Sequence, residues 1–209
     1  MPAIEEMLGE SPVIPVVTLS NSAQSVPLAD ALCAGGIGLI EITLRTDQAL
    51  AAIAAVAEKR PGVIVGAGTC LTIEDLRAAK EAGAAFAVIP GATPALLEAA
   101  GDIDIPLLPG GATVSEVMML REHGHRLLKF FPAEASGGTT FLQAIGPVLP
   151  DISFCPTGGV TAQNAPDYLT LPNVTCVGGS WIAPAELVDA CGWAEISRRA
   201  ADAAMLRRS

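Results

Sequence analysis

Lysine and aromatic residues are both scarce in this chain of 209 residues. Aromatic side chains make up 4% of a sequence that is 51% hydrophobic, so a core must be built from Ala, Val, Ile and Leu. Two of the three lysines, Lys59 and Lys80, lie in segments rich in Ala and Glu, where a charged side chain faces water at little cost. The third, Lys129, has Leu128 and Phe130 as its neighbours. It is the lysine whose position has a functional implication.

Long apolar runs and paired cysteines are missing as well. Gly, Pro or a charged residue interrupts every apolar run before it reaches the length of a bilayer. The segment Met1–Glu10 is acidic and lacks the basic and apolar regions of a signal peptide. There are five cysteines, an odd number without CxxC spacing, at positions 33, 70, 155, 176 and 191. The sequence therefore predicts reduced thiols in a cytoplasmic protein with no membrane partner, disulfide framework or zinc site.

The charge balance excludes one class of partner. A net charge of −10 argues against a nucleic-acid partner, because binding to phosphate backbones needs a basic surface. It does not exclude a small anionic substrate, provided that the pocket supplies local positive charge. No His, Asp and Glu residues have the spacing of a metal-ligand set, so no metal or cofactor is expected.

Short apolar segments alternate with Ala-rich helical segments along the chain, after a short N-terminal helix. The predicted strands are 13–18, 38–44, 63–67, 86–89, 105–108, 127–130, 152–155 and 174–177. The predicted helices lie near 24–34, 47–59, 72–82, 94–100, 113–122, 138–145, 161–169 and 193–206. The strands are apolar on both faces, which is typical of a parallel sheet covered by helices. Eight such units predict a single (β/α)8 TIM-barrel domain over residues 1–209, and an open doubly wound sheet is the alternative.

Lys129 lies near the end of a predicted strand that Pro132 closes. Burial among apolar side chains favours the neutral amine over the ammonium form. A neutral amine attacks carbonyl carbons and forms Schiff bases. The alternative is a lysine whose ammonium reaches the surface from the end of its strand.

Strand two carries a polar face. Its period of two places Glu41, Thr43 and Arg45 on one side and aliphatic residues on the other, so the polar side should face the barrel interior. A carboxylate is costly there unless it is paired or used. We interpret Glu41 as a general acid and base and Arg45 as an anion clamp at the barrel mouth. A structural Glu41–Arg45 ion pair is the alternative.

Glycine pairs follow the last two predicted strands, at Gly158-Gly159 and Gly178-Gly179. Glycine lets backbone N–H groups approach an anion, and this fold commonly binds phosphate at these two positions. The glycines would otherwise serve two tight turns. Thr69, after the Gly-Ala-Gly of strand three, is either a substrate contact or a turn residue.

Five motifs lie at or near the ends of predicted strands: Glu41-Ile-Thr-Leu-Arg45, Gly66-Ala-Gly-Thr69, Lys129-Phe-Phe-Pro-Ala-Glu134, Pro156-Thr-Gly-Gly159 and Gly178-Gly-Ser-Trp181. Taken together they resemble the 2-keto-3-deoxy-6-phosphogluconate (KDPG) aldolases, class I enzymes of the Entner–Doudoroff pathway related to 4-hydroxy-2-oxoglutarate aldolase. The resemblance spans nearly the whole chain.

The resemblance implies roles for individual residues. Lys129 would form the Schiff base with the C2 carbonyl of the substrate, and Glu41 would move protons. Other residues would bind the substrate: Arg45 and Thr69 its carboxylate, Thr157, Gly158, Gly159 and Ser180 its phosphate end, with Phe131, Pro90 and Gly179 as further contacts. The resemblance also implies a homotrimer without metal.

Three other functions fit parts of the pattern. A 4-hydroxy-2-oxoglutarate aldolase would need no phosphate site. A metal-dependent aldolase would need ligands that the sequence does not offer. A barrel that binds sugar phosphates without catalysis would keep the glycine pairs but leave Lys129 and Glu41 without a role.

Overall fold

The computed structural model describes residues 4–206, which contain eight parallel β-strands. The strands are β1 (Val13–Val17), β2 (Leu39–Thr43), β3 (Ile64–Gly68), β4 (Phe86–Ile89), β5 (Leu107–Pro109), β6 (Leu127–Phe130), β7 (Ser153–Pro156) and β8 (Val177–Gly179). Seven of them overlap the predicted strands by most of their length. The eighth lies further along the chain than predicted.

Helices connect and cover these strands. They are α1 (Ile4–Gly9), α2 (Ser25–Ala34), α3 (Ala49–Lys59), α4 (Ile73–Glu81), α5 (Pro94–Ile103), α6 (Val114–Glu122), α7 (Gly138–Ile145), α8 (Ala165–Leu169), α9 (Ala185–Asp189) and α10 (Trp193–Ala204). Thr72 caps α4 and Thr113 caps α6, each through a reciprocal capping box with the acidic residue three positions later. The short helix α9 was not predicted. No helix within residues 4–206 is both long and apolar enough to cross a membrane.

The strands close into a (β/α)8 barrel. Six of them form one ladder in the order β5-β4-β3-β2-β1-β8, and β6 and β7 form a second ladder. Single bridges join the two ladders, between Gly110 and Lys129 on one side and between Thr157 and Gly178 on the other. The doubly wound alternative is therefore wrong, since the first and last strands pair, with Val13 opposite Val177.

Strand β8 differs from its predicted position because of this pairing. Residues Val177–Gly179 lie opposite Val13–Pro15 of β1, whereas Val174 makes only an isolated bridge to β7. Gly178 and Gly179 are thus strand residues and do not form a turn after the strand. Side chains occupy the space that a Cβ would need: it would lie 2.3 Å from Thr157 Oγ1 at Gly178 and 1.7 Å from the Trp181 ring at Gly179.

Apolar side chains fill the lower part of the barrel. Alternate strand residues point inward, among them Phe86 and Val88 of β4, and Met7 and Leu8 of α1 pack against them. Polar side chains are buried where the strands end: Glu41, Thr43, Lys129 and Thr157. The packed floor thus places the polar groups at the C-terminal end of the barrel, where this fold carries its active sites.

Gly66 makes room for Phe86 in that floor. A Cβ at Gly66 would lie 2.2 Å from the Phe86 ring, which is held inside the barrel. We expect Gly66→Ala to lower the free energy of unfolding by about 1–3 kcal/mol, because the ring must shift into a packed interior. Urea denaturation measures the effect. Gly62→Ala is the matched control, since a Cβ there meets nothing within 4 Å. Equal stability of the two variants would contradict this account of Gly66.

Candidate active site

A buried ion pair crosses the barrel interior. Nζ of Lys129, on β6, lies 3.3 Å from Oε1 of Glu41, on β2, and their side chains are 6% and 2% exposed. The two strands are four positions apart around the barrel, so each side chain reaches inward to meet the other. The predicted alternative of a Glu41–Arg45 pair is wrong: Glu41 pairs with Lys129, and Arg45 forms no ion pair among residues 4–206. The alternative that the Lys129 ammonium reaches the surface is also wrong, because the side chain is buried.

Glycine at position 68 accommodates the carboxylate. A Cβ on Gly68 would lie 2.2 Å from Oε1 of Glu41, so any side chain there would displace it. The next residue, Thr69, is half-buried and has a φ of 61°, a conformation that is unusual for a β-branched residue. Strained backbone of this kind is concentrated at functional sites. The Gly-Ala-Gly motif thus serves close packing and presents Thr69.

Cys70 follows Thr69 and is buried. Burial is the main cause that raises the pKa of its thiol, to about 12. The thiol therefore stays protonated at neutral pH and is a poor nucleophile. Within residues 4–206, no three His, Cys, Asp or Glu side chains are grouped so that they could hold a metal ion.

A cleft of about 490 Å³ opens at the ends of β1, β2, β6, β7 and β8. Its walls include seven residues predicted to contact substrate: Arg45, Phe131, Thr157, Gly158, Gly159, Gly179 and Ser180. Gly178, from the second predicted glycine pair, lines the cleft as well. The walls also include residues that the sequence did not indicate: Val16, Thr18, Val160, Ala183, Pro184, Ala185 and Glu186. The structure thus brings together most of the predicted binding residues around one space.

Four predicted site residues lie outside these walls: Glu41, Thr69, Pro90 and Lys129. Phe131 links the two regions, because its ring lines the cleft and its centroid is 5.5 Å from Lys129 Nζ, where a cation–π contact is favourable. Pro90 follows β4, and its carbonyl oxygen would lie 2.2 Å from a Cβ on Gly110. The site therefore has a nearly solvent-free pair on one side of Phe131 and an open cleft on the other.

The loop after β7 has the backbone that its glycines predict. Gly158 and Gly159 have φ values of 97° and 81°, in the region that side chains other than glycine avoid. The loop after β6 holds it in place: the N–H of Ala133 donates to Thr157 O at 2.8 Å, and that of Glu134 donates to Gly158 O at 3.1 Å. These hydrogen bonds therefore fix the loops after β6 and β7 relative to each other.

A buried tyrosine supports this loop from behind. Tyr168, on α8, donates a hydrogen bond to Oε1 of Glu134, and burial together with that carboxylate raises the pKa of Tyr168. The side chain of Glu134 in turn lies against Gly159, where a Cβ would be 2.5 Å from its Cγ. The sequence did not indicate Tyr168, because nothing in a single tyrosine on a short helix shows its partner.

We expect Tyr168→Phe to raise KM for a phosphorylated substrate about fivefold and to change kcat little, because one hydrogen bond that orders the loop is lost. Steady-state kinetics measures both constants. Ser25→Ala is the control, since the buried Ser25 hydroxyl has no hydrogen-bond partner in the described part of the chain. A Tyr168→Phe variant with unchanged KM would contradict the positioning role.

Comparison with known proteins identifies relatives of this chain. The family model described as KDPG and KHG aldolase matches residues 4–199. A 2-dehydro-3-deoxy-phosphogluconate aldolase of Pseudomonas aeruginosa is 48% identical over 200 residues, which cover 96% of this chain and 91% of that protein.

Solved structures agree with the sequence relatives. A KDPG aldolase of Legionella pneumophila, with pyruvate captured as a covalent carbinolamine intermediate, has a TM-score of 0.94 and 44% identity, covering 96% of this chain and 97% of that one. A 2-keto-3-deoxy-6-phosphogluconate aldolase of Zymomonas mobilis with 3-phosphoglycerate has a TM-score of 0.92 and 41% identity, covering 99% and 97%. The chain therefore belongs to the KDPG and KHG aldolase family.

Proposed function

We propose that this protein is a class I aldolase that cleaves KDPG into pyruvate and glyceraldehyde 3-phosphate. The observation that carries the proposal is the buried contact of 3.3 Å between Lys129 Nζ and Glu41 Oε1. Schiff-base catalysis needs a lysine that can release a proton to a nearby base and then attack a carbonyl carbon. In this barrel the pair adjoins a cleft with donors suited to a phosphate. Family membership supports the same reaction.

The first half of the reaction uses the pair to form the Schiff base. Lys129 passes a proton to Glu41 across their contact, and the neutral amine attacks the C2 carbonyl carbon of the substrate. Glu41 then gives its proton to the hydroxyl group of the resulting carbinolamine, and this group leaves as water. This step leaves an iminium on Lys129 and a carboxylate on Glu41. Pyruvate is bound as a covalent carbinolamine in the Legionella pneumophila relative, which supports this order of events.

The second half breaks the C3–C4 bond. Glu41 takes the proton of the C4 hydroxyl, the aldehyde forms at C4, and the electrons of the C3–C4 bond move to the iminium to give an enamine. Glu41 then returns its proton to C3, and water hydrolyses the pyruvate iminium to free Lys129. A carboxylate serves as both base and acid here because it is held within reach of the reacting carbons.

The two charged ends of the substrate need separate sites. We assign its carboxylate to Arg45 and Thr69, and its phosphate to Thr157, Gly158, Gly159 and Ser180. Arg45 has no competing ion pair within residues 4–206, so its guanidinium is available to a ligand. The Zymomonas mobilis relative was solved with 3-phosphoglycerate, which supports a phosphate site in the family fold. Phe131 would pack against the chain between these ends, with Pro90 and Gly179 as further contacts.

The test is borohydride reduction in the presence of pyruvate, followed by peptide mass mapping. A reduced pyruvyl adduct on Lys129, and none on Lys59 or Lys80, is the expected result. A folded sample without an adduct would overturn the Schiff-base mechanism and favour a sugar-phosphate-binding barrel without catalysis.

Cleavage of 4-hydroxy-2-oxoglutarate to glyoxylate and pyruvate is the second candidate, since the matching family model covers both kinds of aldolase. That substrate carries no phosphate. Competition distinguishes the two: inorganic phosphate should inhibit KDPG cleavage by occupying the glycine loop, and it should leave cleavage of the shorter substrate unaffected.

Assembly and location complete the proposal. The resemblance to the family implies a homotrimer, and exposed apolar side chains such as Val114, Met118 and Val148 support association between copies. Light scattering should give about three times the chain mass of 21.3 kDa. None of the five cysteines forms a disulfide within residues 4–206, which supports a cytoplasmic location.

A further inference from the structure

Two threonines at the C-terminal end of the barrel share a hydrogen bond whose direction can be determined. Oγ1 of Thr43, on β2, donates to the carbonyl oxygen of Val17 at 3.0 Å. Oγ1 of Thr18 lies 2.8 Å from Oγ1 of Thr43. A hydroxyl group has one hydrogen, and that of Thr43 is used on the carbonyl. Thr18 is therefore the donor to Thr43, and its oxygen can only accept a further hydrogen bond.

Thr18 is placed where a ligand can reach it. Val16 and Thr18 both line the cleft, as expected for residues two positions apart at the end of a strand. Val16 lies opposite Glu41 in the ladder, so Thr18 is next to Thr43 on the same inner face. Thr18 is half-buried, whereas Thr43 is 1% exposed and inaccessible. The pair therefore offers one accepting oxygen to the cleft.

An oxygen that only accepts selects among the groups of a substrate. Carboxylate and phosphate oxygens without a hydrogen cannot form a hydrogen bond with the Thr18 oxygen, because both atoms are acceptors. A substrate hydroxyl group supplies one. In the proposed KDPG reaction Glu41 takes the proton of the C4 hydroxyl, which leaves the C5 hydroxyl as the remaining donor between the reacting carbons and the phosphate.

We propose that Thr18 is a specificity-determining residue that accepts a hydrogen bond from the C5 hydroxyl of the substrate. The inference rests on the proposed function, because it assigns a position within that substrate. The buried Thr43–Val17 hydrogen bond keeps Thr18 in the accepting orientation. Thr18 thus makes the site prefer a hydroxylated aldehyde half over one without that hydroxyl.

The experiment compares KDPG with its 5-deoxy analogue, 2-keto-3,5-dideoxy-6-phosphogluconate, in pyruvate release by the wild type, Thr18→Val and Thr18→Ser. Thr18→Val keeps the side-chain shape and removes the hydroxyl. We expect it to lower kcat/KM for KDPG about tenfold and to leave that for the analogue within about twofold, because a single hydrogen bond is lost. Thr18→Ser retains the hydroxyl and should restore the preference for KDPG.

Each outcome separates the inference from the proposed function. An equal loss with both substrates, or a Thr18→Val variant that keeps the wild-type preference, would overturn the role of Thr18 and leave the aldolase reaction standing. A wild type that cleaves neither compound would overturn both. If Thr18→Val does not fold, the measurement passes to Thr18→Ala, which also removes the accepting oxygen: the preference for KDPG should fall, and an unchanged preference would overturn the inference.

Discussion

Lys129→Arg is expected to lower kcat for KDPG cleavage by about 10⁴-fold or more, with the barrel still folded. A guanidinium keeps the positive charge beside Glu41, but it stays protonated and forms no Schiff base with a ketone. The loss of a covalent nucleophile removes the step on which every later one depends, and losses of this order are usual for such residues. Pyruvate release measured by a coupled assay gives the rate.

Lys129→Met and Lys59→Met make the matched comparison for this result. Lys129→Met removes the charge and leaves the buried Glu41 without its partner, so the free energy of unfolding should fall by about 3–5 kcal/mol in addition to the loss of activity. Lys59, at the end of α3, has an exposed side chain, and its replacement should leave rate and stability unchanged. A Lys129→Arg variant with more than about 1% of the wild-type kcat would contradict the nucleophilic role.

Glu41→Gln is expected to lower kcat by about 10²–10⁴-fold, the usual range for loss of a general acid and base. The amide has the shape of the carboxylate, so the Gly68 contact survives, but it cannot take up a proton from Lys129 or from the C4 hydroxyl. Schiff-base formation and C3–C4 cleavage should therefore both slow. Rapid mixing with pyruvate, followed by borohydride quenching at set times, gives the rate of Schiff-base formation apart from the rate of C3–C4 cleavage.

Glu186→Gln is the control for charge alone. Glu186 lines the same cleft, is exposed and lies at the start of α9, away from the ion pair. Its replacement should leave kcat within about twofold of the wild type, because no proton transfer passes through it. If the two variants lost activity equally, the effect of Glu41→Gln would come from the net charge of the site, and the assignment of Glu41 as acid and base would be wrong.

The sequence indicated which residues matter more readily than it indicated how they meet. A period of two in β2 placed Glu41 on the inner face, and the apolar neighbours of Lys129 predicted its burial. Their contact spans 88 positions of the chain. Only the closure of the barrel brings β2 opposite β6, so from the sequence alone a pair with the nearby Arg45 remained the alternative interpretation.

The sequence predicts the role of the loop glycines but not that of the strand glycines. Gly158 and Gly159 have the positive φ values that a loop glycine predicts. Gly66 and Gly178 serve a different purpose, since they leave space for Phe86 and Thr157, and that space is defined by strands far away in the chain. The helix α9 was missed because a five-residue segment is too short for its periodicity to show.

The division of the barrel into two ladders has a mechanical consequence. Glu41 lies in β2 of the six-stranded ladder, and Arg45 follows that strand. Lys129 lies in β6 of the two-stranded ladder, and Gly158 follows β7. Single bridges at Lys129 and at Thr157 join the two ladders. A substrate bound covalently to Lys129 and held by Arg45 would connect the two ladders across the end of the barrel. Occupancy would then oppose opening of the barrel at both bridges, since separation would require release of the substrate. The Schiff base on Lys129 would thus also hold the two ladders of the barrel together.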